Sequence, residues 1–310
     1  MSIVVIGTVF VDIKGFPEDT YVPDGRNTGR IEYVHGGVAR NVVEDIANLE
    51  LRPTFVSIVD ETPMGKDVYD KLRKHKVNVD YVIESPNGMG TWLAVFNEKG
   101  DVAGSISCRP DPYPILSILE EKGDEIFVKA DSVIIQIDLH KDIVKKIFQL
   151  AEKYGVKTYA LVSNMNIAVQ RRDFLQQLDC FICNEQEAGI LFLEDYSEST
   201  PEQMVEILAE KIKYANIKSM IITMGAQGAV YAHTNGDRGI CPAKNVVVKD
   251  TTGAGDAFCA GVMAGLTYGK SLADAIEIGS TLASSVITSS ENVCPRFLPE
   301  ELGLNVEQVR

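Results

Sequence analysis

The 310-residue chain has no apolar run of transmembrane length, and its N-terminus has no basic segment typical of a signal peptide. Cations are scarce too, because 30 lysines and arginines face 44 aspartates and glutamates, for a formal net charge of −14. A negative surface repels nucleic acid and anionic membranes, so we expect neither as a general partner. The negative charge does not exclude an anionic small molecule held in a local pocket.

Cysteine and histidine are also sparse. The six cysteines are scattered, and only Cys180 and Cys183 form a C-x-x-C pair, inside an apolar strand-like run with no second pair. Such thiols are more often core residues than ligands of a metal or partners in a redox site. None of the four histidines has the spacing of metal ligands. The sequence therefore indicates no zinc site or disulfide framework, and reduced thiols fit a cytoplasmic protein.

The remaining composition is that of a globular protein, with 45% hydrophobic and 24% charged residues, and the length allows a sizeable core. Short runs rich in Val and Ile predict buried strands at 3–7, 54–59, 132–137, 156–161, 180–183 and 219–223. Helical periodicity predicts helices at 38–49, 66–75, 141–154, 201–214, 256–267 and 272–287. This alternation predicts an α/β fold with a mostly parallel sheet covered by helices on both faces.

Two stretches break the alternation. Residues 10–34 are polar, contain Gly and Pro, and end in a strand-like run at 30–34, while residues 92–107 predict a β-hairpin. Neither contains a helical pattern, so together they predict a small separate sheet, which we call the lid. The predicted domains are a core of residues 1–9, 35–88 and 112–310 and a lid of residues 10–34 and 89–111.

The most informative segment is the string D-T-T-G-A-G-D-A-F at residues 250–258, which follows a β-rich run at 245–249 that predicts a strand. Its Gly253, Ala254 and Gly255 predict backbone N–H groups that converge at a helix N-terminus and form an anion site. Asp256 falls in the first helical turn. An acid there can accept a proton from a hydroxyl while the amides hold the charge on a transferred phosphoryl group. The alternative is a glycine-rich helix start that Asp256 merely caps.

The string resembles the C-terminal signature of the PfkB/ribokinase family of carbohydrate and nucleoside kinases, and the resemblance runs from Val4 to about Pro295. It implies a ribokinase-like fold with a β-sheet lid. It also implies transfer of the γ-phosphoryl group of ATP, with Mg²⁺, to a hydroxymethyl oxygen of a sugar or nucleoside. Asp256 would be the catalytic base and residues 253–255 the anion hole. A homodimer formed through the lid is implied as well.

Two further segments resemble the sugar-binding motifs of this family. Gly36, Gly37 and Asn41 belong to the string G-G-V-A-R-N at the start of the first predicted helix, and the resemblance implies that they contact sugar hydroxyls. Taken alone, the string is equally compatible with an ordinary strand-to-helix turn. Asp12 follows the first strand and matches the sugar-binding aspartate of the family. A carboxylate can accept two hydroxyl hydrogen bonds, although a surface acid in a turn is the alternative.

Other segments resemble the nucleotide-binding motifs. Asn184 and Glu187 match N-x-x-E, which implies that Asn184 faces the phosphates and that Glu187 holds Mg²⁺ through water. Without the family context, Glu187 is simply an acid at a helix N-terminus. Thr223, Gly225 and Gly228 match T-x-G-x-x-G, which implies a turn against the nucleotide. Taken alone, this segment is more typical of a β-turn before a strand.

Three questions stay open at this level. Asp250 and Thr252 match part of the monovalent-cation site of ribokinases, but residues 289–292 depart from its glycine-containing loop, so K⁺ dependence is undecided. His35 adjoins the glycine pair and could line the sugar pocket or face solvent. Arg109 follows the hairpin and could reach a substrate or phosphate, although a surface position is more common for an arginine.

The substrate prediction rests on two details. The run Asn27–Ile31 and the arginine at position 40, directly before Asn41, most resemble the pseudouridine-kinase subgroup. The specific prediction is therefore phosphorylation of pseudouridine to pseudouridine 5′-phosphate. One alternative is another PfkB sugar kinase acting on ribose, fructose or a keto-sugar acid. The other is a catalytically silent binding or regulatory member of the family.

Overall fold

The computed structural model describes residues 1–305 of the chain. The strands are β1 (Ile3–Ile6), β2 (Val9–Pro17), β3 (Gly29–Gly36), β4 (Thr54–Val59), β5 (Asn78–Glu84), β6 (Met89–Phe96), β7 (Val102–Cys108), β8 (Ser132–Gln136), β9 (Lys157–Leu161), β10 (Cys180–Asn184), β11 (Ser219–Thr223), β12 (Ala229–His233) and β13 (Arg238–Cys241). The helices are α1 (Val38–Asn48), α2 (Pro63–Lys74), α3 (Tyr113–Phe127), α4 (Lys141–Tyr154), α5 (Met165–Ala168), α6 (Arg172–Leu175), α7 (Glu185–Phe192), α8 (Pro201–Ala215), α9 (Ala254–Thr267) and α10 (Leu272–Ile287).

A large sheet forms the centre of the fold, in the order β13-β12-β11-β10-β9-β8-β1-β4-β5. The strands from β11 to β5 are parallel, and β12 and β13 are antiparallel additions at one edge. All four residues of β1 are buried, and their side chains alternate between two apolar cores. One core includes side chains of α3, α4 and α8, and the other includes side chains of α1, α9 and α10. Helices thus cover both faces, as predicted.

The lid is a second sheet in the order β3-β2-β6-β7. The predicted hairpin is present as β6 and β7, joined by a turn in which the Asn97 N–H donates to the carbonyl of Asp101 at 2.8 Å. Successive side chains point to opposite faces of a strand. The register therefore puts Asp12, Trp92 and Ser107 on one face of the lid. The opposite face carries exposed apolar side chains, those of Ile31, Tyr33, Leu93 and Ile106.

The predicted elements form with small shifts at their ends, and the sequence pattern missed others, including α3 and β5. The structure corrects one prediction, because the β-rich run at 245–249 does not form a strand. Val247 is 87% exposed there. Within residues 1–305, the run pairs with no strand of either sheet. Instead the N–H groups of Lys249 and Asp250 donate to the carbonyl of Ile287 at 2.9 and 3.3 Å.

Helices α9 and α10 pack closely because small residues lie where they cross. A Cβ on Gly261 would lie 2.8 Å from the Cα of Gly279, so a larger residue would force the helices apart. This packing fixes the N-terminus of α9, where the anion site is expected, against the end of α10. Within residues 1–305, no helix combines the length and the apolar character needed to cross a bilayer.

Candidate active site

The loop before α9 contains one position, Gly253, whose backbone conformation requires glycine. Gly253 has φ = +82°, and a Cβ there would lie 2.1 Å from the carbonyl oxygen of Asn292. Within residues 1–305, the N–H groups of Gly253 and Gly255 make no hydrogen bond, whereas the Ala254 N–H donates to the Thr251 carbonyl at 3.2 Å. Two free amides at a helix N-terminus form a site suited to a negatively charged group.

Asp256 lies beside these amides and has an unusual protonation equilibrium. Burial raises its pKa to about 6, although a hydrogen bond from Asn41 and the charge of Arg40 act in the opposite direction. The Asn41 Nδ2 donates to Asp256 Oδ2 at 2.6 Å, which links the first turn of α1 to the first turn of α9. A carboxylate with such a pKa is mostly ionised at neutral pH and is a stronger base than an ordinary aspartate.

Two cavities meet at this loop. The first, which we call the lid cavity, has a volume of about 490 Å³ and lies between the lid and the core. It is lined by Thr8, Phe10, Asp12, Gly37, Val38, Asn41, Trp92, Ser107, Arg109, Gln136, Ser163, Asn164, Thr252, Gly253, Asp256 and Asn292. The second, the loop cavity, measures about 390 Å³. Its lining comes from the turn after β11, residues 243–251, and the facing sides of α9 and α10.

The loop itself forms the boundary between the two cavities. Gly253 and Asp256 face the lid cavity, while Ala254 and Gly255 face the loop cavity. A phosphate group entering from the loop cavity would meet Gly255, which carries one of the free amides, and would approach Gly253, which carries the other. A hydroxyl entering from the lid cavity would meet the Asp256 carboxylate. The arrangement can therefore bring a phosphoryl donor and an alcohol acceptor together at one point.

The residues predicted for the sugar side come together at the lid cavity. Asp12, Gly37 and Asn41 line it directly. Gly36 acts by leaving space, because a Cβ there would lie 2.4 Å from Asp12 Oδ1. Burial raises the pKa of Asp12, although the positive charges of Lys14 and Arg40 oppose this. Asp12 is thus held in a partly dehydrated position where hydroxyl groups could replace its lost water contacts.

The residues predicted for the nucleotide side divide into two groups. Thr223, Gly225 and Gly228 line the loop cavity. Gly228 has φ = +95°, and a Cβ there would lie 2.1 Å from the Cys241 carbonyl oxygen, so the turn requires glycine. Asn184 lines neither cavity, but it pairs with Thr223 at the carboxyl ends of β10 and β11, close to the same edge of the sheet.

Asn184 and Glu187 form a reciprocal cap at the start of α7. The Glu187 N–H donates to Asn184 Oδ1 at 2.8 Å, and the Asn184 N–H donates to Glu187 Oε2 at 2.9 Å. The other Glu187 oxygen has no hydrogen bond within residues 1–305, and burial raises the pKa of this carboxyl group. A free carboxylate oxygen without a nearby cation fits contact with one water of a hydrated Mg²⁺.

No cluster of three or more His, Cys, Asp or Glu side chains that could hold a metal occurs in residues 1–305. A magnesium ion here would therefore be held mainly by phosphates and water, the arrangement that Mg²⁺ commonly adopts. Asp250 Oδ1 accepts a hydrogen bond from the Thr252 N–H at 2.8 Å, and both residues are exposed. Burial tends to raise the pKa of Asp250, but hydrogen bonds from Thr252 and Thr251 and the charge of Lys14 together lower it. Binding of K⁺ there stays a prediction.

Several lining residues were not singled out from the sequence. The predicted strands could have identified Gln136 and Ser163. These residues lie at or just beyond the carboxyl ends of β8 and β9, where ligands bind in open α/β sheets. Phe10 and Trp92 share the face of the lid that carries Asp12, so period-two alternation could have identified them. No sequence pattern identified Asn292 as a lining residue. In the structure, its Nδ2 donates to the His35 carbonyl at 2.9 Å.

The residues that suggested pseudouridine lie outside the lid cavity. The Arg40 side chain is fully buried, donates to Glu44 at 2.5 Å and to the carbonyl of His35, and does not line the cavity, although its charge acts on Asp12 and Asp256. Asn27 hydrogen bonds within its own loop, accepting from the Val22 N–H at 2.8 Å. Ile31 is 65% exposed on the opposite face of the lid. The structure therefore does not confirm the pseudouridine prediction that rests on these residues.

His35 and Arg109, whose roles the sequence left open, differ in their relation to the lid cavity. The His35 ring lies 3.0 Å from an Asp67 oxygen and does not line the lid cavity, and burial lowers its pKa. Arg109 does line the cavity, so it is not simply a surface arginine. Its Nη2 lies 3.4 Å from Asp138 Oδ2. Arg109 is thus available to a molecule bound between the lid and the core.

Several known proteins are similar to this chain in sequence and fold. The chain is 34% identical to guanosine-inosine kinase from Exiguobacterium acetylicum over 94% of its own length and 96% of that protein's. It is 22% identical to pseudouridine kinase from Escherichia coli over 92% and 90%. Among solved structures, Arabidopsis thaliana ribokinase complexed with ribose and ATP superposes with a TM-score of 0.81 at 21% identity, covering 97% of each chain.

An α/β core with a separate small sheet, and a helix N-terminus that lies between two cavities, define a phosphotransferase with an alcohol group as acceptor. The model of the pfkB family carbohydrate kinases matches residues 1–294. The chain belongs to this family.

Proposed function

We propose that the protein is an ATP-dependent kinase of purine nucleosides such as guanosine and inosine, and that it phosphorylates their 5′-hydroxymethyl oxygen. The observation that carries this proposal is the junction of the lid cavity and the loop cavity at Asp256 and the free amides of the preceding loop. The 34% identity to a guanosine-inosine kinase supports the choice of purine nucleosides.

The residues of the chain account for the steps of the transfer. Asp256 accepts the proton of the attacking hydroxyl, and its pKa of about 6 leaves it ionised at neutral pH. The amides of Gly253 and Gly255 hold the negative charge on the transferred phosphoryl group. Asp12 accepts hydrogen bonds from ribose hydroxyls and orients the sugar. A magnesium ion contacted through water by Glu187 would supply further charge neutralisation at the phosphates.

The size of the site favours a nucleoside over a free sugar. The lid cavity of about 490 Å³ lies within the range of roughly 300–1,000 Å³ typical of pockets for drug-sized ligands. A further cavity of about 220 Å³ shares Thr8, Phe10, Arg109, Gln136 and Ser163 with it. A ribose bound at Asp12 and Asp256 would leave this extension empty, whereas a nucleobase on the ribose would occupy it.

A substrate panel tests the proposal. The wild-type protein is assayed with ATP and matched concentrations of guanosine, inosine, adenosine, pseudouridine, uridine, ribose and fructose, and kcat/KM is measured for each. We expect guanosine and inosine to give the highest values. The highest value for pseudouridine would restore the substrate predicted from the sequence, and the highest value for ribose or fructose would indicate a sugar kinase. No turnover of any acceptor would indicate a silent member.

The outer face of the lid supports a homodimer as part of the proposal. Ile31, Tyr33, Leu93 and Ile106 are between 41% and 69% exposed on one face of this sheet. Adjacent exposed apolar side chains of this kind typically mark an interaction surface. A second copy of the chain could cover them while each inner face still lines its own lid cavity.

A further inference from the structure

The third cavity is a side chamber of the lid cavity rather than a separate site. Five residues line both, and Phe10 forms part of the wall between them. The ring of Phe10 lies against β6 at Gly90, where a Cβ would lie 2.4 Å from the ring. Glycine at this position therefore lets the ring lie flat on the strand. We call this extension the side chamber; an aromatic face at its mouth suits a planar heterocycle.

Most polar groups in the side chamber are already engaged. Asp138 is 4% exposed and accepts hydrogen bonds from the Ser163 N–H at 3.1 Å and the Ser163 hydroxyl at 2.6 Å. The Arg171 Nη1 donates to the carbonyls of Ile137, at 3.3 Å, and Leu139. These bonds fix the wall of the chamber, but they leave few groups able to bind a ligand.

Arg109 is the exception. Its only hydrogen bond within residues 1–305 is the long one of 3.4 Å to Asp138 Oδ2, and its side chain is 44% exposed. A guanidinium group carries five N–H donors and no acceptor. Arg109 therefore presents several uncommitted donors to the place where the lid cavity opens into the side chamber, and Asp138 limits the directions in which they point.

We propose that Arg109 is a specificity-determining residue that reads the O6–N7 edge of a 6-oxopurine base. This inference rests on the proposed function. Guanine and hypoxanthine both present two acceptors, O6 and N7, on this edge, and an arginine can donate to both at once. Adenine carries an amino donor at C6 instead, which would face the donors of Arg109 without a hydrogen bond. Arg109 therefore favours guanosine and inosine over adenosine.

The test compares inosine with purine riboside, which lacks the 6-oxo group, in the wild-type protein and in Arg109→Met. We expect the wild-type kcat/KM to be about 10- to 100-fold higher for inosine, and this ratio to fall close to one in the variant. Arg109→Lys keeps the charge but loses the paired donors, so its ratio should lie between the two. Arg73→Met removes an exposed arginine on α2 and should leave the ratio unchanged.

The outcomes separate the inference from the proposed function. If the wild-type protein prefers inosine and Arg109→Met lowers both kcat/KM values equally, then Arg109 only positions the lid, and the inference is overturned while the proposed function stands. If the wild-type protein prefers pseudouridine or ribose to every purine nucleoside, then the proposed function fails and the inference fails with it. Thermal unfolding of each variant checks that a changed ratio comes from folded protein.

Discussion

The two ends of the lid cavity are built in different ways. The transfer end, around Gly253 and Asp256, comes from one short string at the start of α9, and Asn41 at 2.6 Å reinforces it. The recognition end, around Phe10 and Arg109, comes from the inner face and the edge of the lid together with residues after β8 and β9. No two of the side chains that define the recognition end belong to one sequence motif.

This difference reflects two kinds of physical demand. Phosphoryl transfer needs free amides and a base within a few ångströms, and a helix N-terminus supplies both from consecutive residues. Recognition of a base needs donors, acceptors and an aromatic face on several sides of a planar ring, which no single segment can provide. The transfer end can therefore be read as a motif, whereas the recognition end exists only once the lid lies over the core.

The largest expected effect tests the transfer end directly. Asp256→Asn keeps the shape of the side chain but removes the base, so we expect kcat to fall by about 10²- to 10⁴-fold while KM for ATP changes little. Asp274→Asn, in the first turn of α10, is the matched control and should retain activity. Steady-state kinetics measures both. Near-normal kcat in Asp256→Asn would remove this residue from the mechanism.

The second prediction contrasts the acceptor with the donor. Asp12→Ala removes charge-assisted hydrogen bonds to ribose hydroxyls, each worth about 1.5–3 kcal/mol, so kcat/KM for the nucleoside should fall by roughly 10- to 150-fold. KM for ATP should stay constant because Asp12 lines only the lid cavity. Glu32→Ala, a lid acid outside the cavity, is the control. Equal damage to both substrates would show that Asp12 has a structural role.

The third prediction concerns the backbone of the transfer end. Gly253→Ala places a Cβ at φ = +82° and 2.1 Å from the Asn292 carbonyl, so the free energy of unfolding should decrease by about 1–3 kcal/mol. Gly255→Ala, two residues along, meets nothing within 4 Å and should not destabilise the fold. Urea denaturation of both variants measures the difference. Equal stabilities would show that the loop relaxes around the new side chain.

The fourth prediction uses the coupling between Asn41 and Asp256. Because the base must be ionised, kcat/KM should rise with pH through about 6, the pKa of Asp256. The hydrogen bond from Asn41 lowers this pKa, so Asn41→Ala should move the acid limb of the pH–rate profile to higher pH. Asn164→Ala, which lines the same cavity, should leave the limb in place. An unmoved limb in Asn41→Ala would assign it to another group.

The smallest effect on catalysis is expected on the outer face of the lid. Ile106 is 69% exposed, so Ile106→Lys should dissociate a lid-mediated dimer without disturbing the fold, and kcat should change little. Light scattering after size-exclusion chromatography measures the mass. Tyr214→Lys alters a residue that is 92% exposed and lies outside the lid, and its mass should match the wild type. A wild-type monomer would contradict the dimer.

The sequence predicted the core more completely than the substrate. The strand at 54–59 and the helix at 272–287 formed as predicted, because continuous apolar runs and clear caps leave few alternatives. The predicted strand at 245–249 was wrong, because residues with high β-propensity form a strand only where a neighbouring strand pairs with them. The pseudouridine prediction is unconfirmed, and two of the residues on which it rests do not line the lid cavity, because Arg40 is buried in an ion pair and Asn27 closes its own loop.

The sequence by itself determined the glycine-rich loop before α9, the parallel core and the family, since each depends on contiguous residues and on local backbone chemistry. The tertiary structure decided which side chains share the lid cavity. It placed Arg109, Asp138 and Phe10 around one chamber, although they come from separate elements. It also buried Arg40 in an ion pair with Glu44. The physical reason is that side-chain direction at a sheet edge depends on strand register and on packing against other elements, which no local pattern specifies.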